Sequence, residues 1–166
     1  MTQKTFVSGD VLTASDVNTY LSHEGGAWTS WTPTWTNLSV GNGTVSALYY
    51  RAGRLIVWKL KLTFGSTTSV SGAIRFTLPV AASTGVEFDN TFGTFVDATG
   101  SRHMSAGQFI STTVIQANMI NAIGTSTAVG TGFSGYVVQV VTSSTEPFAW
   151  TTSDQIFYSG VYESLA

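Results

Sequence analysis

From Ile56 to Phe64 every second side chain is a large apolar one, and from Trp58 onward the residues between them are polar. Ile56, Trp58, Leu60, Leu62 and Phe64 fall on one face of an extended chain, and Val57, Lys59, Lys61 and Thr63 on the other. A period of two is that of a β-strand with one face in a core, and this segment carries the clearest such signal in the chain. The preceding run 44-TVSALYYR-51 reads as a second strand, joined to the first by a tight hairpin at Ala52-Gly53. Ile74, Phe76 and Leu78 alternate until Pro79 ends the run. Further strands are expected at 91–98, 107–111, 113–119, 135–141 and 155–163. Turn residues separate them at 41–43, 71–72, 99–101, 130–132 and 143–145. Short strands at this spacing predict an all-β fold, an antiparallel jelly-roll-like β-sandwich.

One segment keeps a helical period instead. In 11-VLTASDVNTYLS-22, Thr13 is placed to cap a helix whose third residue is Asp16, close to a capping box with Asp for the usual Glu or Gln. Leu12 and Val17 can staple across the cap, and Val17, Tyr20 and Leu21 share a face at i, i+3, i+4. Two or three turns end at Gly25-Gly26. A helix this short is marginal alone in water and is expected to dock on another body. The chain therefore divides into an N-terminal anchoring segment with a short helix, 1–26, and a β-sandwich domain, 27–166.

Between them stands 28-WTSWTPTWTN-37, with three of the five tryptophans. Extended, Trp31 and Trp35 lie on one face with Pro33 between them. Proline confines the segment to an edge strand or a strand start. Indole faces can stack on sugars, but burial in the core or at a subunit interface is the reading taken for Trp31 and Trp35, as for Trp58.

Composition sharpens the fold class. Hydrophobic residues make up 43% and charged residues 10%, against about 25% charged in an average domain. Threonine and serine fill the surface, and threonine suits a half-exposed strand. The formal net charge of −2 argues against nucleic-acid binding, which leans on a basic field. No apolar run approaches the ~20 residues of a membrane span, so no membrane insertion is expected. MTQKTFVSGD lacks the apolar stretch of a signal peptide, so synthesis as a soluble product inside a cell is expected. Cysteine is absent, which removes disulfides and thiolate chemistry.

Candidate chemistry is sparse. Glu87 and Asp89 in 86-VEFDN-90 would share one strand face, and paired carboxylates flanking a cleft can hydrolyse glycosides. A solvated strand edge is the preferred reading for both. His103, beside Arg102 in an expected loop at 100–107, has no second histidine near it in sequence, so no zinc site is expected. Loops on a rigid scaffold often carry recognition, which makes Arg102 and His103 candidates for ligand contact. No nucleophile elbow or phosphate-cradling glycine loop occurs. Neither an enzyme nor a cofactor is expected.

Three stretches resemble the tail-fibre and minor tail proteins of tailed bacteriophages. The leader 9-GDVLTASDVNTYL-21 resembles their "G-x-x-L-T-A-x-x-V-N" N-terminal segment. The run 31-WTPTWTNLSVGNGTVSALYYRAGRLIVWKLKLTFGSTTS-69 is similar to their "W-T-P-x-W-T-x-x-x-x-G-N-G-T" hairpin with its "R-x-G-R/K" turn. The run 147-PFAWTTSDQIFYSGVYES-164 looks like their closing "P-F-x-W-x-x-x-D-x-I…G-x-Y-E" strands. Together these span roughly half of the chain, and 83–135 matches nothing in the group. The resemblance implies a virion protein made in the host cytoplasm, a homotrimer anchored to other virion proteins through Leu12, Val17, Tyr20 and Leu21. It also implies contact with bacterial surface glycans through distal loops. A head fibre, decoration or tail-tip protein without a receptor role is the alternative. A polysaccharide depolymerase using Glu87, Asp89 or Asp97 ranks below both.

Overall fold

A computed structural model describes residues 7–11, 13–16, 27–83, 91–123 and 136–165. Among them ten strands follow in chain order: β1 Thr29–Ser30, β2 Trp35–Ser39, β3 Thr44–Ala52, β4 Leu55–Thr63 and β5 Ser69–Thr77, then β6 Thr91–Val96, β7 Arg102–Ser111, β8 Val114–Ile123, β9 Tyr136–Val141 and β10 Gln155–Glu163. All pair antiparallel. They form one sheet in the order β1-β3-β4-β10-β6-β7-β8-β5-β2, with β9 on β8. The expected all-β antiparallel fold is thus observed, as a single continuous ladder.

The sheet curls over its own apolar face. Trp58 on β4 and Phe76 on β5 stand far apart along the ladder, yet their ring centroids are 5.8 Å apart. Tyr158 on β10 reaches Phe76 at 5.4 Å and Phe95 on β6 at 6.1 Å. The period-two face of β4 forms the floor of this core: Ile56, Trp58, Leu60 and Leu62 are all buried, with Ile74, Ile115 and Ile156 against them. Alternation produces this because each buried strand residue sends its neighbour to the opposite surface.

The tryptophan-rich stretch closes the curl. β1 pairs with β3 and β2 pairs with β5, so consecutive strands sit on opposite edges of the ladder. Residues 31–34 cross between them. The Trp31 N–H donates to the Ala47 carbonyl at 3.1 Å, and its indole Nε1–H donates to the Thr77 carbonyl at 3.3 Å. Thr34 exchanges two further bonds with Thr77. Pro33 is buried in the crossing, where its missing N–H removes no ladder bond. Trp31 packs edge-on against Tyr49 and Trp58, and Trp35 lies on Phe76. Both are half-buried against the core, and Trp58 is 1% exposed. Trp58 is thus a core residue, and Trp31 and Trp35 pack on the core with part of each indole still exposed.

Three local expectations change. The β3–β4 register pairs Ala52 with Leu55, so the two turn residues are Gly53 and Arg54, one position later than expected. Only Gly53 of the pair has positive φ, at 61°, the pattern of a type II′ turn. The expected loop at 100–107 is largely strand, since β7 begins at Arg102 and pairs with both β6 and β8. The segment 147–154, grouped with the closing strands by sequence, is a loop that caps one end of the core. Trp150 stacks on Phe64 at 5.0 Å, and the buried Asp154 carboxylate accepts N–H bonds from Ala98 and Thr151.

The 41-GNG-43 turn owes its glycines to close contact. Asn42 donates to the Ser66 hydroxyl and exchanges hydrogen bonds with Thr67, and a Cβ on Gly41 would stand 2.5 Å from the Thr67 carbonyl oxygen. In the leader the capping box forms: Thr13 Oγ1 accepts from the Asp16 N–H at 3.1 Å, and the Asp16 carboxylate accepts from the Thr13 N–H at 3.1 Å. Ala14–Asp16 make one helical turn. Leu12, Val17, Tyr20 and Leu21 lie outside the described residues, as does any further extent of the helix.

Candidate functional site

The outer face of the curled sheet follows from the strand phases. On β4 the residues opposite the core set include Lys59 and Lys61, on β10 Phe157 and Ser159, and on β6 Phe92 and Thr94. Register places them in two rows. Ser46, Lys61, Phe157, Thr94 and Met104 lie side by side across β3, β4, β10, β6 and β7. Leu48, Lys59, Ser159, Phe92 and Ala106 form the adjacent row.

Between these rows lies a groove of about 380 Å³. Its chemistry is mixed in a specific way. Phe157 and Phe92 supply ring faces, with Phe92 62% exposed. Ser46, Thr94 and Ser159 supply hydroxyls, and Lys59 and Lys61 supply two ammonium groups. The Lys61 Nζ sits 5.2 Å from the Phe157 ring centroid. The Lys59 Nζ sits 4.6 Å from the ring of Trp28, which is 44% exposed just outside the groove. The tryptophan stretch is therefore divided between two roles. Trp31 and Trp35 face the core, and Trp28 faces outward beneath a lysine.

The floor is rigid for a reason on the inner side. Gly93 pairs with Tyr158, whose ring covers it so closely that a Cβ would lie 2.7 Å from ring carbons. Tyr158 is itself pinned by a hydrogen bond to Ser105 Oγ, which also donates to the Asn118 carbonyl at 2.8 Å. Burial pushes the Tyr158 hydroxyl well above its ordinary pKa. The groove is thus backed by a packed, hydrogen-bonded layer. Among the described residues its lining offers ring, hydroxyl and ammonium groups. Among the described residues neither lysine has a carboxylate partner. The Arg54–Glu163 pair, at 3.0 Å, lies at the far end of β4 and β10.

The residues singled out by sequence fall elsewhere. Arg102 is exposed at the first position of β7. His103 is half-buried with its ring 5.4 Å from Phe148, against the 147–154 loop. The loop tip beside them is 97–101, where the Thr99 hydroxyl and N–H bond to the Asp97 carboxylate and hold it below the usual carboxylate range. The turn supplies the larger part of that shift, and the neighbouring His103 lowers it a little further. Glu87 and Asp89 lie outside the described residues. In the sequence Lys59 and Lys61 stand on the polar phase of their strand, and Phe92 and Phe157 lie within expected strands to which no facing is assigned. The available signal was Phe157, an aromatic side chain out of phase with the buried Ile156 and Tyr158.

No family model matches the chain, and no curated protein or solved structure resembles it significantly.

Proposed function

We propose that this chain is a structural protein of a tailed-phage virion, a tail-fibre or receptor-binding module that contacts a glycan on the host surface. In this reading the curled sheet is the jelly-roll-like sandwich of such a module, assembled as a homotrimer and joined to other virion proteins through the leader. Support comes first from the lysine-and-aromatic groove on the outer face, a recognition surface on a scaffold cross-linked at both sheet edges. The three phage-like stretches add to it. Two of them act as closing devices, at 31–43 and 147–154.

The test has two arms. Antibody raised against the chain should label purified particles, and the purified protein should reduce adsorption of those particles to their host. Labelled particles with unaffected adsorption favour a head-fibre or decoration role. Absence from particles removes the virion assignment altogether. Sedimentation at micromolar concentration should give three times the monomer mass.

A further inference from the structure

The groove has a property that plain aromatic platforms lack, since its lysines occupy its rings. Lys61 stands over Phe157 and Lys59 over Trp28. Each ammonium gains a modest attraction from its ring and loses little hydration, because both sites are open to solvent. A ligand that lays an apolar face on Phe157 must first move Lys61 aside. A neutral ligand offers nothing in return. A ligand bearing a carboxylate offers the displaced ammonium a charge-assisted hydrogen bond, which is stronger than the contact it replaces.

We propose that the groove binds an acidic saccharide, a pyranose carrying a carboxylate, and that Lys61 and Lys59 discriminate against neutral sugars by capping the rings when the site is empty. The inference rests on the glycan-binding reading above and names the class of glycan. Charge complementarity identifies the occupant. Two lysines on alternate positions of one strand, about 7 Å apart, lack a carboxylate partner among the described residues, on a chain whose formal net charge is −2. Ser46, Thr94 and Ser159 border them with hydroxyls suited to sugar hydroxyls. A nucleic acid would present phosphates and stacking bases, but its backbone calls for a broader basic field than two lysines.

The experiment titrates the full chain, by amide-resolved NMR, with uronic-acid hexamers of alginate and polygalacturonate. The same hexamers after carboxyl reduction and a 15-mer of deoxythymidine are run alongside. Expected is binding of at least one uronate hexamer, with shifts centred on Lys59, Lys61, Phe92, Thr94, Phe157 and Ser159. It should be about tenfold tighter than its reduced form, a preference that shrinks as salt screens the charges. Lys61→Gln should weaken uronate binding about threefold, the scale of an exposed ion pair, while strengthening binding of the reduced hexamer by uncapping Phe157. Arg51→Gln, which removes the same charge outside the groove, should change neither. Equal affinity for acidic and reduced hexamers, shifts elsewhere, tighter binding of the deoxythymidine strand, or no binding of any hexamer would each overturn the inference. Particle labelling and adsorption are read separately, so a virion protein that ignores uronates sinks this inference and leaves the broader reading standing.

Discussion

Replacing Thr142 by Val isolates a single hydroxyl at a fork in the sheet. One edge of β8 is shared: β5 pairs with it at Val114–Gln116, and β9 pairs with it from Asn118 onward. At the gap, the Thr142 hydroxyl accepts from the Ile74 N–H at 2.9 Å and donates to the Ala117 carbonyl at 3.1 Å. It stands in for the ladder bonds that neither strand can make there, and Thr142 is 1% exposed. Valine has nearly the same shape, so no cavity opens. The loss is an orphaned buried N–H, about 1–3 kcal/mol, with a smaller term for the carbonyl. Thr142→Ser keeps the hydroxyl and deletes a methyl, about 1 kcal/mol. Urea unfolding followed by tryptophan fluorescence should rank wild type above Ser and Ser above Val, with unchanged m. At about 2 kcal/mol the Val variant should melt roughly 4–8 °C lower for a chain of this length. Valine has the better strand propensity, so a Val variant as stable as the Ser variant would show that the hydroxyl does not hold the fork.

Two further outcomes follow from the layer beneath the groove. A methyl at Gly93 would meet the Phe157 carbonyl oxygen at 2.6 Å and the Tyr158 ring at 2.7 Å. Backbone cannot turn aside as a rotamer can, so Gly93→Ala should cost about 1–3 kcal/mol, and a neutral result in urea unfolding would contradict the close approach. Burial raises the Tyr158 and Tyr162 hydroxyls above their ordinary pKa, Tyr162 also accepting from the Val80 N–H and donating to the Val80 carbonyl. The folded-state pKa is the higher one, so this stability is complete below about pH 10, the unfolded tyrosine value, and is lost as pH rises beyond it. Urea midpoints measured from pH 8 to 11 should fall on the alkaline side, less steeply in Tyr158→Phe; a flat profile would remove the effect.

How much of this was legible in the sequence depends on how local each feature is. The β4 alternation from Ile56 to Leu62 is local and appears as read, with every second residue buried. The first half of β7, 102–106, carries no β-branched residue, and its local pattern reads as loop. It is extended because β6 and β8 supply bonds on both sides, a tertiary effect that overrides propensity. Trp31, Pro33 and Trp35 announced an edge strand, and the structure makes the segment serve both edges, which no local pattern encodes. The groove is the clearest case. Strand phase shows that Lys59, Lys61, Phe92 and Phe157 face outward. Their meeting requires the order β4-β10-β6, which joins residues about a hundred positions apart.

The central claim, that the outer groove is the recognition surface of a virion protein, is tested most directly by adsorption competition with paired proteins. The wild-type chain and a Lys59→Gln, Lys61→Gln variant, matched in urea stability, are each added in excess to host cells before the particles. The wild-type chain should suppress adsorption, and the double variant should leave it near the level without competitor. Equal suppression by both would place recognition elsewhere on the molecule, and suppression by neither would deny the chain a receptor role.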